Sequence, residues 1–123
     1  MINFFKILLI CTFFIQTSCG KEEKISTIDK TNIRQQMVGL YEEGYKELKA
    51  GDALYAANKF QEAELIFPQS EWAPMASLMA AYSFYSQDYY FDAERQVEDY
   101  LKKYPNHPNR DYAQFILAMC YYE

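Results

Sequence analysis

Thirty-seven residues separate Pro68 from Pro105, and shifting this 123-residue chain by that interval lays one segment on the next. The shift pairs Gly44 with Ala81 and Ala118, Ala56 with Ala93, Phe60 with Val97, Ala63 with Tyr100, and Phe67 with Tyr104. Self-similarity at such a period means stacked supersecondary units, each too small to bury its apolar face alone. Within a unit the spacing is helical. Met37, Leu40, Tyr41, Tyr45 and Leu48 recur at steps of three and four until Gly51-Asp52 interrupts them. A second helix carries Leu54, Ala57, Phe60, Ala63, Glu64 and Phe67, and Pro68 closes it. Ser70 can cap a third helix that holds Pro74 in its first turn and runs to about Ser86. A fourth spans Tyr90 to Lys103 and stops before Pro105, and Asn109 can cap a fifth.

The order small, small, apolar, apolar, proline resembles the tetratricopeptide repeat, in which a small residue on one helix faces a small one on its partner. Helices approach to 8–10 Å only where side chains permit it. The expected fold is all-α: a tetratricopeptide-type solenoid of antiparallel helix hairpins over residues 32–123, with two full repeats plus the first helix of a third. The turn glycine of the template is Gly51 in the first unit and Asp88 in the second, a residue that tolerates turn geometry. Helices of this length are marginal alone, so stability must come from stacking. The fifth helix would carry Phe115, Ile116, Met119 and Cys120 with no hairpin partner, which predicts that the chain continues into further hairpins.

The first eighteen residues read differently. Lys6 precedes a run from Ile7 to Ile15 that is apolar except for Thr12. Nine helical residues rise about 14 Å, less than half of a ~30 Å hydrocarbon core, so residues 1–18 are expected to be a signal peptide and not a membrane span. Gln16-Thr17-Ser18-Cys19-Gly20 resembles a bacterial lipobox, with Gln16 in place of the usual Leu, which implies lipidation at Cys19. Ordinary cleavage after Ser18 with a free thiol is the alternative. Residues 19–31 are polar and charged and read as a flexible tether. Removing Lys6 takes the formal charge from −5 to −6. An acidic body excludes the phosphate neutralisation on which nucleic-acid binding depends. With Cys11 removed and Cys19 acylated, Cys120 has no disulfide partner in this chain.

From Leu40 to Glu123 the residues resemble the BamD family, lipoproteins of the outer-membrane β-barrel assembly machine. The resemblance rests on LYEEGYKELKAGD, on FPQSEWAPMASLMAAYSFY, on YLKKYPNHPN and on HPNRDYAQFILAMCYYE. The HP…DYA element is the most specific, and Ala118 stands where the family usually has Gly. The resemblance covers about two of the family's five repeats and part of a third. It implies a lipid-anchored scaffold on the periplasmic face of the outer membrane. It implies partners in the periplasmic domains of BamA and in the other lipoproteins of the complex, mostly through the family's C-terminal half. It also implies that unfolded outer-membrane proteins are received by the N-terminal half.

First helices line the concave face of such solenoids. Their open side is expected to hold Tyr41, Tyr45 and Leu48 in the first unit, and Leu78, Tyr82 and Tyr85 in the second. In the third it holds Tyr112, Phe115, Met119 and Tyr122. Tyrosine offers an apolar ring with a polar tip, suited to a partly wet peptide groove. The competing reading is that these rings pack the stack. Catalytic, metal and cofactor sites are not expected: His107, the sole histidine, lies in a loop between prolines, and no HExxH, phosphate loop or GxSxG element occurs. Cys120 reads as a small hydrophobe. Glu62, Glu64, Asp92 and Glu94 are expected to face solvent. The alternative function is another periplasmic repeat adaptor, in cell-envelope division or pilus assembly. A third class, an enzyme with its active site downstream, finds no support in these residues.

Overall fold

The computed structural model describes residues 30–123. The proposed signal peptide, Cys19 and nearly all of the tether lie outside the described residues. Five helices follow one another: α1 (Lys30–Ala50), α2 (Ala53–Ile66), α3 (Ala73–Tyr85), α4 (Tyr90–Lys103) and α5 (Arg110–Tyr122). Among the described residues there is no strand. The fold is the all-α, tetratricopeptide-like stack that the repeat predicts. α1 opens at Lys30, two residues earlier than the sequence boundary at Asn32.

Each connection has a local cause. Gly51 adopts φ +91°, open to glycine and costly to other residues. Asp52 then accepts a hydrogen bond from the Tyr55 N–H on its Oδ1 at 3.0 Å and starts α2. In the second hairpin Asp88 takes the same left-handed turn at φ +64°. Its carboxylate receives the Tyr90 hydroxyl at 2.7 Å. Ser70 is not the N-cap of α3, where Trp72 stands without a side-chain cap bond, but from two residues earlier its Oγ accepts the Ala73 N–H at 3.0 Å. Asn109 precedes α5, but its side chain does not cap the helix. Its Nδ2 instead donates to the Met75 sulfur at 2.8 Å, tying the loop after α4 to α3.

Successive helices pack in sequence order, and α3 also touches α5. α3 (APMASLMAAYSFY) is apolar on all sides because neighbours surround it. α4 is strongly amphipathic, with Ala93, Val97 and Tyr100 inward. The close approach inferred at Gly44 is observed. A Cβ placed there would lie 3.1 Å from the Phe60 ring and 3.2 Å from the Ala56 carbonyl oxygen. The equivalent Ala81 packs in one cluster with Leu78, Val97, Tyr100, Ala113 and Ile116, which joins the second hairpin to α5. Met37 with Ala63 and Ala76 joins α1 to the second unit. Among the described residues, no helix is long and apolar enough to cross a membrane.

Glu64 departs from expectation. It is 5% exposed, and its Oε1 accepts from the Tyr104 hydroxyl at 2.9 Å and from Lys103 Nζ at 3.2 Å. A buried carboxylate requires such partners, and both come from the end of α4, beyond the reach of any helix-periodicity argument. Glu62 is exposed as expected, whereas Glu94 is half-buried and accepts the Tyr121 hydroxyl at 2.7 Å.

Candidate functional site

On the first helices α1, α3 and α5, steps of thirty-seven organise the predicted residues into rows. One row is Tyr41, Leu78 and Phe115; the next is Tyr45, Tyr82 and Met119; the last is Leu48, Tyr85 and Tyr122. Tyr112 begins a further row with Val38 and Met75.

Two hollows lie along the α1/α3 seam. The one nearer the N-terminal ends of these helices has a volume of about 290 Å³ and is lined by Met37, Val38, Tyr41, Glu42 and Trp72. Its walls are apolar except for Glu42. Tyr41 meets Phe60 edge-on at 5.1 Å and Trp72 at 6.2 Å. The hollow at the other end is shallower, about 370 Å³, and is lined by Tyr45, Leu48, Lys49, Tyr82, Ser86 and Gln87. There Lys49 Nζ sits 4.4 Å above the Tyr45 ring, a cation–π contact. From Val38 to Lys49 the helix rises about 16 Å, the length of roughly five extended residues.

The placements divide the ten sequence-predicted residues. Tyr45, Leu48 and Tyr82 meet in one hollow, and Tyr41 lines the other while its ring also packs the hairpin. Tyr45 is 47% exposed and Tyr82 36%. Tyr85 is half-buried against the core clusters on both sides of α3. Tyr112 and Phe115 of α5 stack at 6.3 Å and are exposed, Met119 is half-buried, and Tyr122 is exposed. Leu78 is the correction. It is 3% exposed, enclosed by Val97, Tyr100, Ala113 and Ile116, because α5 stacks over its row. Seven of the lining residues were not among the ten: Met37, Val38, Glu42 and Trp72 in the first hollow, and Lys49, Ser86 and Gln87 in the second. Val38 and Trp72 stand half-exposed in the apolar hollow, and the row shared by Val38, Met75 and Tyr112 was the signal for the first.

Burial and the neighbouring Tyr45 push the Tyr41 phenol above its ordinary value. Burial, with Tyr82 and Tyr85 nearby, does the same at Tyr112. Both hydroxyls therefore keep their protons at neutral pH and can donate hydrogen bonds. The lone thiol at Cys120 is pushed up by burial and by Glu94, which disfavours the thiolate. The His107 ring is engaged through Nδ1 with the Tyr100 hydroxyl at 2.8 Å and with the Asn109 N–H at 3.2 Å. Among the described residues no three His, Cys, Asp or Glu side chains gather as metal ligands would.

Residues 34–123 match the YfiO family, described as an outer membrane lipoprotein. A relative in Caulobacter vibrioides, named outer membrane protein assembly factor BamD, is 33% identical over 84 residues, 68% of this chain and 28% of its own length. The protein of the same name in Neisseria gonorrhoeae is 31% identical over 80 residues, 65% of this chain and 30% of its own. That in Xylella fastidiosa is 24% identical over 112 residues, 91% of this chain and 37% of its own. The chain thus spans about a third of the length of the curated relatives it matches. No solved structure matches it. With a stacked helical body matched from Arg34 to its last residue, the chain belongs to the YfiO family of outer membrane lipoproteins.

Proposed function

We propose that this chain takes part in assembling outer-membrane proteins as a lipid-anchored receptor, holding extended segments of unfolded client chains along the α1/α3 seam. The observation that carries the reading is the pair of hollows on one continuous face, apolar at one end and tyrosine-lined with a lysine at the other. Aromatic rings supply contact area at small entropic cost, and their hydroxyls satisfy a peptide backbone that a purely apolar groove would strand. The relatives' name, outer membrane protein assembly factor, supplies the client class. Acylation at Cys19 holds the groove near the periplasmic surface of the outer membrane, because two acyl chains anchor stably where one does not. The role is binding, not catalysis. BamA periplasmic domains and the companion lipoproteins are the proposed assembly partners.

The test is fluorescence anisotropy with labelled peptides from unfolded barrel proteins. Tyr45→Ala with Tyr82→Ala should weaken capture at least fivefold while the far-ultraviolet circular dichroism is unchanged, since both rings stand on the surface. Undiminished capture by a folded double variant would reject the groove. A scrambled peptide of equal composition that binds as well would reject the assignment of the clients.

A further inference from the structure

The side of the stack away from the groove is joined by polar ties. α2 and α4 are the second helices of the two hairpins, and each packs chiefly on first helices and little on the other. What spans them is a ladder. Gln61 Nε2 donates to Gln96 Oε1 at 2.7 Å, and Gln96 Nε2 donates to the Ser77 hydroxyl on α3 at 3.2 Å. Ser77 is wholly buried. One turn further along α2, Glu64 takes the Tyr104 hydroxyl and Lys103 Nζ on a single oxygen, Oε1. A crevice of about 180 Å³ between the helices runs beside these groups, so the space is bridged and not filled.

We infer that Glu64 is a positioning residue: its bonds to Tyr104 and Lys103 fix the spacing of α2 and α4, and through it the opening of the groove on the opposite side. The physical argument is leverage. The two hairpins meet along α2/α3 packing, which acts as a pivot. Ties on the outer side of a pivot set the angle between the bodies, and the α1/α3 seam lies on the inner side. Apolar contacts at the pivot resist separation and are non-directional. The Glu64 bonds are directional and charge-assisted, and the carboxylate itself is buried although Lys103 is half exposed, so they hold one angle among several that the packing tolerates. The Gln61–Gln96–Ser77 chain restrains the same gap but joins neutral groups, and it ranks second. This effect on the groove rests on the peptide-receptor reading above, whereas the spacing of α2 and α4 stands apart from it.

The experiment uses the full chain with Cys11→Ser, Cys19→Ser and Cys120→Ser and spin labels at Leu65→Cys and Lys102→Cys, two exposed positions one repeat apart on α2 and α4. Double electron–electron resonance then reads the α2–α4 distance, and labelled peptide reads the groove. Glu64→Ala should broaden and shift the distance distribution and weaken peptide binding threefold or more under conditions where the chain stays folded. Glu64→Gln, which can still accept from Tyr104, should restore most of both, and Tyr104→Phe should give an intermediate result. An unchanged distance distribution in folded Glu64→Ala overturns the inference. A changed distribution with undiminished affinity also overturns it if Tyr45→Ala with Tyr82→Ala abolishes binding in the same assay. If that tyrosine variant binds normally, the receptor reading has failed, and a changed distance still supports Glu64 as the residue that spaces the helices.

Discussion

The two hairpins use equivalent positions to opposite effect. In α1–α2 the junction pairs the smallest residue, Gly44, with the large ring of Phe60, and Tyr41 lies edge-on to that ring. In α3–α4 the same positions are Ala81 and Val97, and Leu78 replaces the tyrosine. The bulk moves one turn along: Ala63 in the first hairpin is Tyr100 in the second, a fully buried ring whose hydroxyl meets His107. The repeat therefore preserves the position of the contact and moves the bulk within it, rather than keeping the identity of any one side chain. Interiors close-packed to crystal density permit such exchanges only in compensating pairs.

The strongest way to break this comparison is to empty each hairpin of its ring. Phe60→Ala and Tyr100→Ala should each cost about 3–5 kcal/mol, a large share of a small domain's stability, as read by urea denaturation. A cost below about 1 kcal/mol at either would mean that the ring does not fill its hairpin. The compensation itself is tested at Gly44. Alanine there should destabilise by about 1–2 kcal/mol despite its better helix propensity, because the Phe60 ring is pinned and the Ala56 oxygen belongs to backbone. In a Phe60→Val background the same substitution should change sign and stabilise. A cycle without that reversal would separate the two positions.

Alkaline pH sharpens the contrast between hairpins. Tyr104 is driven well above its ordinary range by burial and by Glu64, and burial alone raises Tyr100. Tyr90 is pushed up to about 12, mainly by its bond to Asp88. A raised phenol keeps its proton in the folded state while the unfolded chain loses its own near 10, so folding stability falls as pH climbs from about 10 towards 12. Three such groups lie in or beside the second hairpin, against Tyr41 and Tyr55 in the first. Hydrogen exchange above pH 10 should show α4 opening before α2, and the reverse order would contradict the assignment. The smallest effect belongs to the turns. Gly51→Ala at φ +91° should cost about 1 kcal/mol, although a Cβ there meets nothing within 4 Å. Asp88→Gly should stay within about 0.5 kcal/mol of neutral, relief of the left-handed strain offsetting a freer unfolded chain and the lost Tyr90 bond.

The thirty-seven-residue interval, the prolines at the ends of α2 and α4, Gly51 and Asp88 determined five helices, their boundaries and their hairpin pairing. Those features act within one helix or one turn, where period and backbone geometry are written residue by residue. The tertiary structure alone decided the fate of individual side chains: Leu78 enclosed while Tyr41 lines a hollow, Glu64 buried against Tyr104, Asn109 turned from its helix towards Met75. Burial at a given repeat position depends on which layer lies above it, and a partner some forty residues away leaves no mark in local periodicity.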